Sequence, residues 1–276
     1  MNILYKYCDQ VGIVKILESL ELKLPFISEV NDPLECLPFF YCPEDKTAMK
    51  VIEARYLSAC TRMNILPSKD YQQKLYEQFE KGEIQKNLVE SQRKLQREWN
   101  QRKGCLLSVS KTAKETVMWA HYTERHRGAV IGIDFDNIHQ VKMQMNPVDY
   151  SKVRPKINIL EEPEGGVSLE AYGKAIMTKS SSWFYEEEFR TIFLVDSLED
   201  LRKQGLASLK DFKGKKTWFL RLNPESIKEV VFGLYTDDSL KIAIKKLIEL
   251  QELQHIKLYQ TKESETYTLN LVEINK

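Results

Sequence analysis

The chain has 276 residues, and its 42% hydrophobic and 29% charged side chains are typical of a globular protein rather than a disordered one. Its 41 basic and 40 acidic residues leave a net charge of +1, so no overall field would attract nucleic acid or an anionic membrane. The five cysteines form no CxxC pair, which argues against a disulfide framework and a zinc knuckle. Because charges interrupt every apolar stretch, we expect no signal peptide and no membrane span, and therefore a soluble, cytoplasmic protein.

The N-terminal segment predicts a short strand at Ile3 to Tyr7, followed by a helix whose apolar residues recur at helical spacing as far as Leu20. Leu22 to Phe26 predicts a second strand. A loop is expected at Asn31-Asp32-Pro33, since Asn and Asp bond back to their own backbone and Pro fixes φ.

A helical insertion is predicted at about residues 43–103. Glycine is nearly absent and charge is dense from Ala48 to Arg62 and from Lys69 to Arg102. The apolar spacing slips near Gly82, so the second stretch predicts two consecutive helices rather than one rod.

The remaining two thirds of the chain predict a sheet with flanking helices. Short helices are expected at 115–124 and 239–253, and the chain should close on a hairpin. The strand-like segments are Cys105 to Val109, Ala129 to Phe135, Arg190 to Val195, Trp218 to Leu222, Val230 to Phe232, Ile256 to Gln260 and Tyr267 to Ile274. The predicted fold is α+β: one domain, residues 1–276, with a mixed, mainly antiparallel sheet and the helical insertion at 43–103.

Charge is concentrated just before the strand TIFLV. Strand alternation that begins early would place Glu186, Glu188 and Arg190 on one face. Two neighbouring carboxylates repel each other and therefore favour a general acid/base pair, a metal such as Mg²⁺, or a cationic partner, which Arg190 could supply. The structural alternative is a solvated strand edge with surface ion pairs.

A second polar segment runs from Trp119 to Gly128. Trp119 and Tyr122 share a helical face, and Gly128 is expected to end the helix as its C′ residue. His121 could act as a general base or bind a ligand, although a helical histidine is more commonly structural or solvated. His126 lies five residues later, which does not match the i, i+4 spacing of a helical metal site, so no transition-metal site is predicted.

Together these segments resemble a bacterial family catalogued as domain of unknown function 2971. The motifs that carry the resemblance are Leu4-Tyr5-Lys6-Tyr7, Asn31-Asp32-Pro33-Leu34-Glu35, Trp119-Ala120-His121-Tyr122 with His126 and Gly128, Lys179 with Trp183 to Glu186, Glu188 and Arg190, and Val230-Val231-Phe232-Gly233. The resemblance implies that the recurring polar residues converge in one cleft. The alternative is a buried polar network that fixes the fold.

More distantly, the order of motifs is similar to that of the ADP-ribosyltransferase superfamily, whose early strand carries a Tyr-His or an Arg, whose middle strand carries a serine and whose late strand carries E-x-E. The matching segments are Tyr5-Lys6-Tyr7, Ser108-Val109-Ser110 and Glu186-Glu187-Glu188, with Lys6 where His or Arg is expected. This resemblance implies NAD as substrate and a protein or nucleic acid as acceptor. The implied catalytic residues are Glu188, Glu186 and His121, and the implied NAD-binding residues are Lys6, Tyr7, Ser108, Ser110, Tyr122, Lys179 and Arg190.

Two alternatives stay open at this point. Glu186 and Glu188 could hold Mg²⁺ in a nuclease or phosphoesterase, with Lys179 or Lys6 facing phosphate. The protein could instead be a non-catalytic module that binds a nucleotide, another small molecule or a partner protein.

Overall fold

The fold is described from a computed structural model, which covers residues 3–138, 143–164 and 166–275. The chain divides into two compact units. Unit 1 comprises residues 1–30, 103–150 and 181–276, and unit 2 comprises residues 31–102 and 151–180. Within the described ranges, no helix has both the length and the apolar character needed to cross a membrane.

Helices and strands are interspersed along the chain. The helices are α1 Gln10–Ser19, α2 Lys46–Arg62, α3 Lys69–Glu80, α4 Glu83–Arg102, α5 Thr116–Tyr122, α6 Leu169–Met177, α7 Val195–Lys203 and α8 Asp238–Leu250. The strands are β1 Ile3–Cys8, β2 Glu21–Leu24, β3 Phe39–Tyr41, β4 Gly104–Ser110, β5 Ala129–Asp134, β6 Asn146–Pro147, β7 Asp149–Ser151, β8 Lys156–Asn158, β9 Thr178–Ser180, β10 Glu188–Leu194, β11 Ala207–Phe212, β12 Lys215–Arg221, β13 Ile227–Phe232, β14 Lys257–Lys262 and β15 Asn270–Ile274.

Unit 1 is built on a sheet that has eight strands among the described residues, in the order β15-β14-β13-β5-β1-β4-β10-β6. Strands β13 and β14 pair in parallel, because α8 carries the chain back between them, and the neighbouring pairs from β13 to β6 are antiparallel. Strands β14 and β15 form the closing hairpin. The predicted α+β class with a mixed, mainly antiparallel sheet is confirmed.

The two faces of this sheet are covered differently. On one face, Leu4 and Ile131 pack against Ile13 of α1, Ile244 of α8 and Trp218 of the smaller sheet β11-β12-β2. The other face carries a smaller apolar cluster. Its members include Tyr7, Val130, Val231, Met118 and Trp119. Strand alternation places successive side chains on opposite faces, so this second face also receives the polar residues of the site.

Unit 2 contains the predicted helical insertion. Helices α2, α3 and α4 lie within residues 43–103, and Gly82, with φ of +72°, separates α3 from α4 as predicted. Asp45 and Ser68 cap the first turns of α2 and α3 by accepting hydrogen bonds from Ala48 and Tyr71 backbone amides. The core of the unit joins these helices to the parallel pair β3-β8.

Some elements differ from the sequence-based expectation. Helices α6 and α7 and strand β11 were not predicted, because their sequences mix helix-forming, charged and β-branched residues without a clean period. The single-domain organisation of residues 1–276 stays a prediction, since two compact units can belong to one domain.

Candidate functional site

Three of the segments identified from the sequence lie on neighbouring strands of the large sheet. Tyr5 of β1 pairs with Ser110 of β4, and Ser110 pairs with Glu188 of β10. On the other side of Tyr5, Gly132 of β5 is its partner and Glu229 of β13 pairs with Gly132. Directly opposed residues share a face, so these five positions form one row across five strands. We call it the cross-strand row.

The polar side chains of the cross-strand row are largely buried. Glu188 and Ser110 are 4% and 1% exposed, and Glu229 is 9% exposed. A Cβ atom at Gly132 would lie 2.6 Å from Cγ of Glu229, so glycine is the residue that leaves room for this side chain. A hydrogen bond to Glu229 adds to burial in raising the pKa of the Tyr5 hydroxyl, which therefore stays protonated at neutral pH.

Glu188 forms a buried ion pair with Arg190, two residues further along the same strand face. Nε of Arg190 donates to Oε1 of Glu188 at 2.8 Å, and Nη2 donates to Oε2 at 2.7 Å. The arginine side chain is 0% exposed. Such a bidentate contact fixes the carboxylate plane and stabilises its charged form.

Glu186 takes a different path from the one predicted by strand alternation. It ends a 3₁₀ helix, Ser181–Glu186, and Glu187 has a φ of +40°, so the chain turns before β10 begins at Glu188. The prediction that Glu186 continues the strand face of Glu188 and Arg190 is therefore wrong. Glu186 is nevertheless buried, and its Oε1 accepts a hydrogen bond of 2.6 Å from the Tyr122 hydroxyl.

The hydroxyl of Tyr150 contacts the backbone of the same turn. Its oxygen accepts a hydrogen bond of 2.8 Å from the backbone N–H of Glu188, so this tyrosine helps to fix the first residue of β10. Sequence reasoning missed Tyr150, because it lies 38 residues before Glu188 and no motif surrounds it. It also missed Glu229, whose proximity to Tyr5 follows from strand register alone.

Helix α5 supplies the aromatic side of the site. Trp119 is fully buried, and its Nε1 donates to the carbonyl of Ala113 at 2.8 Å. Tyr7 meets it edge-on at 5.5 Å between ring centroids and donates its hydroxyl to the Thr112 carbonyl, so Tyr7 is part of the core. His121 lies on the exposed side of the helix.

Lys6 and Ser108 belong to the same region but not to the row. By alternation along β1, Lys6 is on the face opposite Tyr5 and Tyr7, and its Nζ donates to the backbone carbonyl of Ser108 at 2.8 Å. Ser108 is the partner of Arg190 across β4 and β10. Lys6 therefore stabilises the β4 backbone through a main-chain contact.

Lys179, Asn31 and Asp32 belong to unit 2. Nζ of Lys179 lies 3.5 Å from Oε1 of Glu35, and both side chains are buried. The backbone amide of Leu34 donates to Oδ1 of Asp32 at 2.8 Å, as the Asn-Asp-Pro turn predicts. The convergence of these residues with those of unit 1 stays a prediction.

The loop after α5 corrects the role expected for Gly128. The helix ends at Tyr122, and Glu124, Arg125 and His126 then take φ values of +52°, +58° and +66°. Gly128 is not in the left-handed region. A Cβ at this position would lie 2.1 Å from the carbonyl oxygen of Cys8, so glycine is needed for close backbone contact and not as a C′ residue.

Taken together, the site combines a fixed carboxylate, a second carboxylate bonded to a tyrosine, and aromatic side chains. These groups suit a reaction in which positive charge develops next to a carboxylate, or recognition of hydroxyl groups. Within the described part of the chain, no three His, Cys, Asp or Glu side chains are arranged to hold a metal ion.

Comparison with known proteins places this segment in a family. No curated protein and no solved structure matches the chain. The family model described as "Protein of unknown function (DUF2971)" matches residues 118–191, from α5 to the Glu188–Arg190 pair. The motifs at Tyr5 and Asn31 lie before that range, and Val230 to Gly233 lie after it. The match over residues 118–191 confirms the resemblance to the DUF2971 family that was drawn from the sequence.

Proposed function

We propose that the protein is an NAD-using enzyme of the ADP-ribosyltransferase or NAD glycohydrolase type, with Glu188 as its catalytic carboxylate. The observation that carries the proposal is the alignment of Tyr5, Ser110 and Glu188 on three adjacent strands. These residues belong to the three segments whose order along the chain is similar to the order of motifs in that superfamily. Strand pairing aligns the three residues in one row on one face of the sheet.

The reaction would break the bond between C1′ of the nicotinamide ribose and the pyridinium nitrogen. Nicotinamide leaves with the bonding electron pair, and an oxocarbenium-like ribose remains. Glu188 would accept a hydrogen bond from a ribose hydroxyl and stabilise the developing positive charge. Water or an acceptor hydroxyl then forms the new bond to C1′ and loses its proton to Glu186.

The other residues of the site would orient NAD. Arg190 holds the carboxylate plane of Glu188, and Tyr122, already bonded to Glu186, would stack on the nicotinamide ring. Ser110 lies beside Glu188 in the row and would contact the ribose. The wider prediction also assigns Lys6, Tyr7, Ser108, Lys179 and His121 to the NAD site.

A binding module without catalysis is the second candidate. The observation that favours it is the near-complete burial of Glu188 and Arg190, since a closed ion pair with this geometry can serve the fold alone. Such a module would bind a nucleotide, another small molecule or a protein, and substitution of Glu188 would change stability without removing any chemical activity.

Release of nicotinamide from NAD by the purified protein distinguishes the two candidates. We expect release by the wild type and a loss of about 100-fold or more in Glu188→Gln, because a fixed charge that stabilises the transition state is removed. Glu187→Gln is the matched control, since its side chain is exposed and lies one residue away. Rates are expressed per folded molecule, measured by near-UV circular dichroism. Absence of release by folded wild type at about 1 mM NAD would leave the binding module as the better description.

A further inference from the structure

Unit 2 contains a cavity of about 440 Å³ whose lining includes no residue of the cross-strand row. Its volume lies in the range of small-molecule sites, roughly 300–1,000 Å³. The wall is formed by the start of β3, the segment that leads into β8, and the end of α6 with β9.

The cavity has an excess of positive charge. Four cations line it, Lys152, Arg154, Lys156 and Lys179, against the two carboxylates of Asp32 and Glu35. Lys179 and Glu35 form the buried ion pair described above. Among the described residues, no carboxylate lies within ion-pair distance of Lys152, Arg154 or Lys156. The charge of these three side chains is therefore available to an anionic ligand.

A flat apolar surface lies next to these cations. Phe39 of β3 is 40% exposed, and its neighbour across the parallel pair is Lys156 of β8. The guanidinium carbon of Arg154 lies 5.7 Å from the centroid of the Phe39 ring. A hydrogen bond of 2.8 Å from the Phe39 amide to the Pro155 carbonyl holds the two segments together. Aromatic rings and guanidinium planes are the surfaces on which nucleobases stack.

We propose that this cavity is a nucleotide-binding site, in which the base stacks on Phe39 and Arg154 and the phosphate is bound by Lys152 and Lys156. The site goes beyond the proposed NAD reaction, because it lies in unit 2 and shares no residue with the cross-strand row. A free nucleotide and one nucleotide of a single strand present the same base and phosphate, so both belong to the ligand class.

Calorimetric titration with three probes tests the assignment: adenosine monophosphate, inorganic pyrophosphate and an oligothymidylate. We expect binding of the nucleotide at about 1 mM or below and a decrease in affinity as salt is raised. If the natural ligand is a single-stranded nucleic acid, the oligothymidylate should bind more tightly than adenosine monophosphate and with a steeper salt dependence. If the natural ligand is a free nucleotide, adenosine monophosphate should bind at least as tightly as the oligothymidylate.

Two variants and one control make the test specific. Lys152→Gln with Lys156→Gln should weaken binding of all probes by about tenfold or more. Phe39→Leu should weaken binding of adenosine monophosphate and leave pyrophosphate unchanged, since only the base needs the ring. The control is Lys94→Gln with Arg97→Gln, on the exposed surface of α4.

The site is disproved if the folded wild type binds none of the probes at low salt, or if the control weakens binding as much as the cavity variants. All these side chains are exposed or half-exposed, so the thermal midpoint should stay unchanged. Nicotinamide release does not enter the readout. If the wild type releases no nicotinamide, the titration of the cavity probes is still a valid test of the nucleotide site. If no probe binds, that result does not bear on the proposed NAD reaction.

Discussion

At the scale of single residues, substitutions in the Glu188–Arg190 pair can separate an effect on stability from an effect on chemistry. Removing one partner of a buried ion pair leaves an uncompensated charge, whereas replacing both with apolar groups is often neutral. The buried charge of Arg190 is held by a carboxylate two residues away on the same strand.

Arg190→Met should lower the free energy of unfolding by about 3–5 kcal/mol, because Glu188 then stays buried without the positive charge of the Arg190 guanidinium. Urea unfolding followed by circular dichroism measures the change. Arg202→Met is the control: Arg202 donates to Glu199 at 2.8 Å in an exposed pair, where the expected loss is below about 1 kcal/mol. Equal losses in the two variants would show that the Arg190 pair is not a buried charge pair in solution.

His126 predicts a pH dependence of stability. Burial lowers its pKa from 6.5, and its Nδ1 is buried with no hydrogen-bond partner among the described residues. As the pH falls below 6.5, the unfolded chain takes up a proton at this histidine that the folded chain still resists. The free energy of unfolding therefore decreases between 6.5 and the lower folded pKa.

His126→Asn should reduce this decrease, since asparagine does not titrate and tolerates the left-handed conformation of the position. The measurement is urea unfolding of wild type and variant at pH 7.5 and pH 5.5. The difference between the two proteins isolates His126 from the carboxylates, which titrate in both. An identical pH dependence in the two proteins contradicts the prediction.

At the scale of elements, glycines mark where the backbone of one element touches another. Gly128→Ala should cost about 3 kcal/mol, because the new methyl group meets the fixed Cys8 carbonyl between β1 and β5. Gly173→Ala is the matched control in α6, where nothing lies within 4 Å, and it should stabilise the protein by about 0.5–1 kcal/mol. Thermal unfolding compares the two, and a Gly128→Ala protein as stable as wild type would contradict the close approach.

The sequence predicts the elements whose apolar residues recur at a regular period. It does not predict features that depend on how distant segments pair in the fold. Helices α2 to α4 and strands β1, β4, β5 and β13 follow from periodicity, and the break at Gly82 follows from its spacing. The turn at Glu187 could not be predicted, because EEEFR has the alternation of a strand and only the preceding 3₁₀ helix overrides it. Likewise, the roles of Tyr5, Glu229 and Tyr150 depend on register between distant segments, which no local motif encodes.

At the scale of the whole molecule, the cysteines report on the integrity of both units. All five, Cys8, Cys36, Cys42, Cys60 and Cys105, are buried. Burial raises the pKa of Cys8 and Cys105 to about 12 and that of Cys42 to about 11. Because the thiolate is the reactive form, these three thiols should react slowly with an aromatic disulfide at pH 8.

Thiol titration with and without denaturant measures this protection. We expect little reaction in the native protein and five reactive thiols after unfolding. In intermediate denaturant the rate should follow the unfolded fraction, since opening of the fold limits access. A thiol that reacts rapidly in the native protein would indicate that one unit opens locally or packs less tightly than described.

The proposal that Glu188 of the cross-strand row supports NAD chemistry is tested by nicotinamide release from the double variant Glu188→Met with Arg190→Met. In this variant an apolar pair of similar length replaces the ion pair, and the fold is expected to survive. We predict release by the wild type and none by the double variant, at an unchanged unfolding midpoint. Release at the wild-type rate by the folded double variant would contradict the role of Glu188.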